Sequence, residues 1–82
     1  MTLREEITEL MTDNIAKVCR VDKSSLNADT NLKTGLTVKS GEMVVVISAL
    51  EDEYDLYIDY MKLIKYETIG QIVDFIANLI ES

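Results

Sequence analysis

Residues 40–54 read SGEMVVVISALEDEY, and this stretch decides the fold. Its apolar side chains recur every three or four residues, which is the spacing of one face of an α-helix. Those on the predicted inner face are Met43, Val46, Ile47, Leu50 and Tyr54. Ser40 stands where a loop, residues 31–39, meets this helix. Its hydroxyl therefore either caps the helix or is free to be modified.

The opposite face of this predicted helix mixes acids with two valines. Val44 and Val45 share it with Ser48, Glu51 and Asp52. Apolar side chains are unexpected on a helix face that meets water. The valines therefore either pack under the preceding loop or contact another protein.

Two further long helices are predicted, and both begin with a capping box. Thr2 with Glu5, and Thr68 with Gln71, have the spacing in which side chains and amides at a helix start bond each other. The first helix is expected to end near residues 17–20. Its apolar stripe comprises Leu3, Ile7, Leu10, Met11, Ile15 and Val18. The stripe of the last helix comprises Ile69, Ile72, Val73, Ile76, Leu79 and Ile80.

The segments between these helices are irregular or short. Residues 21–39 are rich in Asp, Ser and Asn and lack a sustained period, so they predict a long loop. The side chains expected to hold this loop are Val21, Leu26, Leu32 and Leu36. Residues 59–65 can form one or two helical turns. Their expected inward side chains are Tyr60, Met61 and Ile64.

The fold class that follows is all-α. We predict a four-helix bundle with three long helices, one short helix and a long loop between the first and second helices. The 82 residues are expected to form a single domain, residues 1–82, and to be a monomer.

Charge and hydropathy limit the partners of the chain. Its 15 acids outnumber its 8 bases, which gives a formal net charge of −7. Such a polyanion repels phosphate backbones and attracts basic surfaces, so we predict no nucleic-acid partner. No window approaches the ~18 consecutive apolar residues that mark a membrane span, and none is predicted.

The residue types also limit the chemistry. The chain has no histidine and one cysteine, Cys19, which excludes an internal disulfide and multi-cysteine zinc sites and fits the reducing cytoplasm. Without a histidine base we predict no catalytic residue and no enzyme, and Cys19 is expected to be a small packing group. Asp22 begins a calcium-loop pattern, but Leu26 and Asn27 occupy positions that need a ligand and a glycine, so no metal site is predicted.

Residues 29–76 resemble the acyl carrier protein family. The correspondence runs without a gap through Asp29-Thr30-Asn31-Leu32, then Gly35-Leu36-Thr37-Val38-Lys39-Ser40-Gly41-Glu42, then Ala49-Leu50-Glu51-Asp52-Glu53-Tyr54. In the family, Asp-Ser-Leu heads the second helix, and Ser40 falls on its serine. Lys39 and Gly41 make this signature an atypical Lys-Ser-Gly, and Asp59 stands where the family usually has proline.

The resemblance implies a cofactor, a function and partners. Ser40 would carry covalent 4′-phosphopantetheine, which a phosphopantetheinyl transferase takes from coenzyme A. The chain would hold an acyl group as a thioester on this arm and present it to enzymes of fatty-acid, polyketide or related specialised lipid biosynthesis. These would be synthetases that load an acyl group onto the carrier (acyl-ACP synthetases) or ketosynthase-type enzymes, both with basic docking surfaces.

The resemblance also implies that partner enzymes dock on the second helix. The predicted docking residues are Lys39, Gly41, Glu42, Val44, Val45, Glu51 and Asp52. Lys39 is expected to weaken or redirect docking with the usual enzymes, because other members have an acid there. Gly41 removes a leucyl contact that partners in the family often use.

Alternatives remain open at this stage. Peptidyl and aminoacyl carriers share the fold and the serine. An unmodified interaction module of the same fold would bind a protein through Val44 and Val45 and would use Ser40 only as a helix cap. The tyrosines that either border an acyl-chain pocket or simply pack half-buried are Tyr54, Tyr57, Tyr60 and Tyr66.

Overall fold

The computed structural model describes residues 1–82 and contains four α-helices. They are α1 (Leu3–Cys19), α2 (Ser40–Tyr54), α3 (Tyr60–Leu63) and α4 (Ile69–Glu81), with one 3₁₀ turn at Lys23–Ser25. This confirms the predicted all-α bundle of three long helices and one short helix. None of the helices combines the length and the apolar character needed to cross a membrane.

Both predicted capping boxes are present. The Thr2 hydroxyl accepts from the Glu5 amide at 3.2 Å, and the Glu5 carboxylate accepts from the Thr2 amide at 2.7 Å. These bonds stabilise the charged carboxylate, and the Thr2 amide holds the pKa of Glu5 below its usual value. Thr68 and Gln71 make the equivalent pair of bonds at 3.2 and 3.1 Å. Local side-chain chemistry thus fixes where α1 and α4 begin.

The core lies where α1 packs against α2 and α4. Its fully buried large side chains are Ile7, Met11, Ile15, Val46, Leu50, Leu63, Ile69, Ile72 and Ile76. Burial of each such side chain contributes about 1.5–3 kcal/mol relative to exposure. One predicted core residue of α4 is misplaced, because Leu79 is 39% exposed while Ala77 is fully buried.

The inner face of α3 differs from the prediction. Leu63 is the buried residue, whereas Met61 is 72% exposed and Ile64 lies at the surface. The helix is a single turn that starts after Asp59, whose carboxylate accepts from the Met61 amide at 3.0 Å. In a helix this short, Tyr60 and Leu63 share one face, and Met61 points away from it. The Asp59 carboxylate therefore provides the N-cap at the position where the family usually has proline.

The long loop between α1 and α2 is tied to the start of α4. The Leu32 amide donates to the Glu67 carbonyl at 2.7 Å, and the Ile69 amide donates to the Thr30 carbonyl at 3.1 Å. Leu32 is buried, as predicted. Three partly buried side chains of the loop also pack against the core, namely Leu26, Leu36 and Val38. Val21, which was expected to hold the loop, is half-buried and is not among the residues packed against the core.

Gly70 lets the loop and α4 approach closely. Its amide donates to the Ala28 carbonyl at 2.9 Å, and a Cβ on Gly70 would lie 3.1 Å from that oxygen. The glycine weakens the first turn of α4 slightly, but a Cβ there would require the Ala28 carbonyl to shift by a few tenths of an ångström.

Asn31 organises the turn that leads toward α2. Its side-chain oxygen accepts from the amides of Lys33 and Thr34 at 2.8 and 2.9 Å, and its side-chain nitrogen donates to the Glu67 carboxylate at 3.1 Å. Gly35 passes so close that a Cβ on it would lie 2.9 Å from the Asn31 carbonyl oxygen. One asparagine therefore closes the turn and joins it to the segment before α4.

Candidate functional site

Ser40 is the first residue of α2 and does not cap it. Lys39 is the N-cap residue, with extended backbone angles of φ −74° and ψ 155°. The Glu42 carboxylate accepts from the Lys39 amide at 2.9 Å and so performs the capping. The Ser40 hydroxyl is exposed and takes part in none of the side-chain hydrogen bonds of the helix start. The cap interpretation of Ser40 is therefore wrong, because the chain enters the helix one residue earlier.

The backbone just before α2 is strained. Thr37 has φ 59°, in the left-handed region, which a β-branched residue rarely adopts. The Val38 amide, which follows it, donates to the Leu32 carbonyl at 2.8 Å and holds this conformation. Such a residue costs about 1–3 kcal/mol and persists only where surrounding contacts enforce it. A residue in an unfavourable backbone conformation therefore lies three positions before the exposed Ser40.

An apolar pocket of about 130 Å³ lies beside Ser40. It is formed where the loop, α2, α3 and the start of α4 meet. Its lining residues are Leu32, Lys33, Val38, Ser40, Met43, Tyr60, Leu63, Ile64, Tyr66 and Ile72. Of the four tyrosines considered for an acyl pocket, Tyr60 and Tyr66 border it. Tyr54 contacts the opposite end of the bundle, and Tyr57 is exposed, so neither lies at this pocket.

Lys33 is the residue at this site that the sequence did not indicate. It is seven positions from Ser40 in a loop without periodicity, so no local pattern relates the two. Only the turn closed by Asn31 brings Lys33 to the mouth of the pocket. The attachment of the loop to α4 sets the position of Lys33 relative to Ser40.

The predicted docking acids of α2 have different surroundings. Glu42 caps the helix start, and the Glu51 carboxylate accepts from the Ile58 amide at 2.8 Å, which holds the chain after α2. Asp52 is exposed and has no such bond, and the same is true of its neighbour Glu53. Of the three predicted docking acids, the structure therefore places two in the framework and leaves Asp52 at the surface.

The two valines of α2 are at the surface. Val44 is 48% exposed and Val45 is 51% exposed, so neither packs under the loop and that interpretation is wrong. Gly41 lies beside them in the first turn, and a Cβ built on it would meet nothing within 4 Å. The face of α2 that starts at Lys39 is therefore exposed, and the space above Gly41 is open.

Cys19 packs at the edge of the core, at the end of α1. Burial raises the pKa of its thiol, and the charge of Glu42 adds to this shift. A raised pKa leaves the thiol protonated at neutral pH, and the protonated form is a poor nucleophile. Cys19 is therefore a packing residue with a protonated thiol.

The part of the chain that builds this site matches a known protein family. Residues 9–76 match the family described as the phosphopantetheine attachment site. The match begins within α1 and ends within α4, so it includes the loop, Ser40 and every wall of the pocket.

Three curated relatives carry the name acyl carrier protein. The protein of Lactobacillus acidophilus is 36% identical over 74 residues, which cover 90% of this chain and 92% of the relative. That of Saccharopolyspora erythraea is 26% identical over 94% of this chain and 81% of the relative. That of Cyanophora paradoxa is 24% identical over 90% of this chain and 72% of the relative. The chain therefore belongs to the acyl carrier protein family, whose members are non-catalytic carriers with covalently bound 4′-phosphopantetheine that serve biosynthetic enzymes.

Proposed function

We propose that Ser40 carries the phosphopantetheine group and that the chain holds an acyl group for enzymes of fatty-acid, polyketide or related lipid biosynthesis. The observation that carries this proposal is the free, exposed hydroxyl of Ser40 at the mouth of an apolar pocket. When bound, the group supplies a thiol at the end of a flexible arm, and the cargo is attached there as a thioester.

The residues around Ser40 fit such a group. The Ser40 hydroxyl is not needed for capping, because Glu42 performs that role. A transferase can therefore take its proton while the serine oxygen attacks the diphosphate of coenzyme A. The adenosine bisphosphate part leaves, and a phosphodiester forms on Ser40 without breaking a bond of the helix start. The first turn of α2 also has amides that point outward, and these favour a negative charge on Ser40.

The pocket favours an acyl cargo over an aminoacyl or peptidyl one. Eight of its ten lining residues are hydrophobic and none is acidic, so the ammonium group of an aminoacyl cargo would lose water there without gaining a carboxylate partner. Its volume of about 130 Å³ is close to that of the ~150 Å³ apolar cavity that holds benzene. About four to six carbon atoms therefore fit without enlarging the pocket.

A short acyl group on the arm is expected to stabilise the protein, and a polar aminoacyl group is not. Burial of a hexanoyl chain should raise the free energy of unfolding by about 1–3 kcal/mol over the unacylated protein. Denaturant unfolding gives this difference. Methyl resonances of Leu63 and Ile72 should move in the same sample, because both side chains line the pocket.

A pair of phenylalanine variants serves as the control. Val38→Phe places a ring in the wall of the pocket and should remove the gain from hexanoyl, whereas Leu79→Phe lies outside the pocket and should keep it. Equal stabilisation by hexanoyl and aminoacyl cargo would contradict the acyl assignment.

The acidic end of α2 supports docking of a basic partner. Glu51, Asp52 and Glu53 lie in the last turns of the helix, and the final turn contains no basic residue. Acids at a helix C-terminus oppose the helix dipole and cost about 0.3–1 kcal/mol each. An arrangement that lowers stability in this way is expected where a function requires it.

Reversing the two exposed acids should change stability and docking in opposite directions. The double variant Asp52→Lys, Glu53→Lys places positive charges near the C-terminus of α2, where they interact favourably with the helix dipole. The free energy of unfolding should therefore rise by about 0.5–2 kcal/mol. The kcat/KM for loading by a phosphopantetheinyl transferase should fall roughly threefold to tenfold, because attraction to its basic surface is lost.

The control for net charge is Asp29→Lys, which makes the same change in net charge outside α2 as Asp52→Lys alone makes within it. It should leave the loading rate closer to that of the original protein. Glu42 and Glu51 are unsuitable for this test because both carboxylates bond backbone amides. An unchanged loading rate in the double variant would show that the transferase does not read this end of the helix.

A further inference from the structure

Two lysines lie beside Ser40 in a chain that is otherwise strongly acidic. Lys33 lines the same pocket as Ser40, and Lys39 directly precedes it. Both are exposed, and neither forms an ion pair with a carboxylate. Of the eight bases, only Arg4, with acids of α4, and Lys23, with acids of α1, form ion pairs. The cations next to Ser40 are therefore available to an anion.

The position of Lys39 is unfavourable for the helix itself. A positive charge at a helix N-terminus opposes the helix dipole. The capping bond at this position uses the backbone amide of Lys39 and leaves its ammonium group out. The Glu42 carboxylate is the one acid bonded at this point, and it accepts from that amide. Local stability thus gives no reason for a lysine here.

A phosphodiester on Ser40 would supply the missing anion. We propose that Lys39 and Lys33 bind the phosphodiester of the prosthetic group and hold the start of the arm at the mouth of the apolar pocket. This inference rests on the proposed attachment at Ser40. Lysine suits the role because its ammonium is a compact charge on a flexible side chain. This side chain can reach an oxygen of the phosphodiester on Ser40. The two lysines also offset the repulsion between the phosphodiester and Glu42.

The consequence is an arm that is anchored at its first atoms and free at its thiol end. Because the start of the arm is already held, the arm loses less conformational entropy when a cargo enters the pocket. The contact is exposed, so it is weak and is screened by salt.

Competitive acetylation of lysines tests the contact. The unloaded and the loaded protein are treated with a limiting amount of acetic anhydride, and the extent of reaction at each lysine is read by peptide mass spectrometry. Loading should lower the reactivity of Lys39 and Lys33 about two- to fivefold, the range expected for an exposed ion pair. Lys17, on α1 and away from the pocket, should react equally in both forms.

High salt separates an ionic contact from simple shielding by the arm. At about 1 M salt, where screening acts over ~3 Å, the protection of Lys39 and Lys33 should be largely lost. Protection that persists at this salt would mean that the arm covers the lysines without binding them, which overturns the proposal.

Phosphorus NMR of the loaded protein gives an independent measurement. Lys39→Gln and Lys33→Gln should each narrow the phosphorus line, because the phosphodiester moves more freely, whereas Lys17→Gln should not. Equal line widths in all variants, with equal acetylation in both forms, would refute the contact. Absence of any mass increase on loading would instead refute the attachment at Ser40, so the two failures are distinguishable.

Discussion

Replacing Ser40 by alanine is expected to abolish the addition of phosphopantetheine while leaving the fold and its stability unchanged. Incubation with coenzyme A, magnesium and a phosphopantetheinyl transferase should add one group to the original chain and none to Ser40→Ala. The stability should stay within a few tenths of a kcal/mol, since alanine is a good helix former and the lost hydroxyl bonds nothing. Intact mass and denaturant unfolding give the two readings.

Ser24→Ala is the matched control for this experiment. Ser24 is an exposed serine in the 3₁₀ turn, outside α2, and its loss should leave loading intact. Thiol titration provides a second reading, because Cys19 packs against the core and should react slowly, whereas the thiol at the end of the arm is exposed to solvent. A rapidly reacting thiol should therefore appear only when the group is attached. Failure of the original chain to load with its own transferase would favour the unmodified interaction module, with Val44 and Val45 as its contact.

Replacing Asn31 by alanine should cause the largest loss of stability among changes of polar side chains at the site loop. Two amides, those of Lys33 and Thr34, lose their acceptor, and Glu67 loses its donor. Net losses of this kind are about 0.5–1.5 kcal/mol for each bond, so the loss of all three should lower the free energy of unfolding by about 1.5–4.5 kcal/mol. Denaturant unfolding of both proteins measures this difference, provided that the m-value is the same for the two.

Asn31→Asp separates the two functions of this side chain. It keeps an oxygen for the amides of Lys33 and Thr34 but replaces the donor to Glu67 with a second carboxylate. If closure of the turn dominates, Asn31→Asp should be more stable than Asn31→Ala. The reverse order would mean that the link to Glu67, and with it the attachment of the loop to α4, matters more.

The start points of α1 and α4 were predictable because the interactions that set them are local. Thr2 with Glu5, and Thr68 with Gln71, bond over three residues, and a spacing in the sequence is sufficient to identify them. The inner face of α2 was predictable for a similar reason, since its apolar residues follow the helical period. Family resemblance over residues 29–76 added Ser40, which periodicity alone could not distinguish from an ordinary cap.

The surroundings of Ser40 were less predictable because they depend on contacts between distant segments. The spacing of residues did not reveal that Glu42 would cap α2 and leave Ser40 free. Nor did it reveal that Leu63, and not Met61, would face the core, because a one-turn helix has too few residues to define a period.

The sequence by itself determined the helices, the acidic character of the chain and the serine that matches the family. These depend on composition and on interactions within about four residues. Tertiary structure alone decided the pocket, the exposure of Val44 and Val45, and the approach of Lys33 to Ser40. These depend on the backbone bonds that join the loop to the start of α4, such as that from Leu32 to Glu67. Such a pairing spans many residues, so it forms only when the helices pack together and no local pattern encodes it.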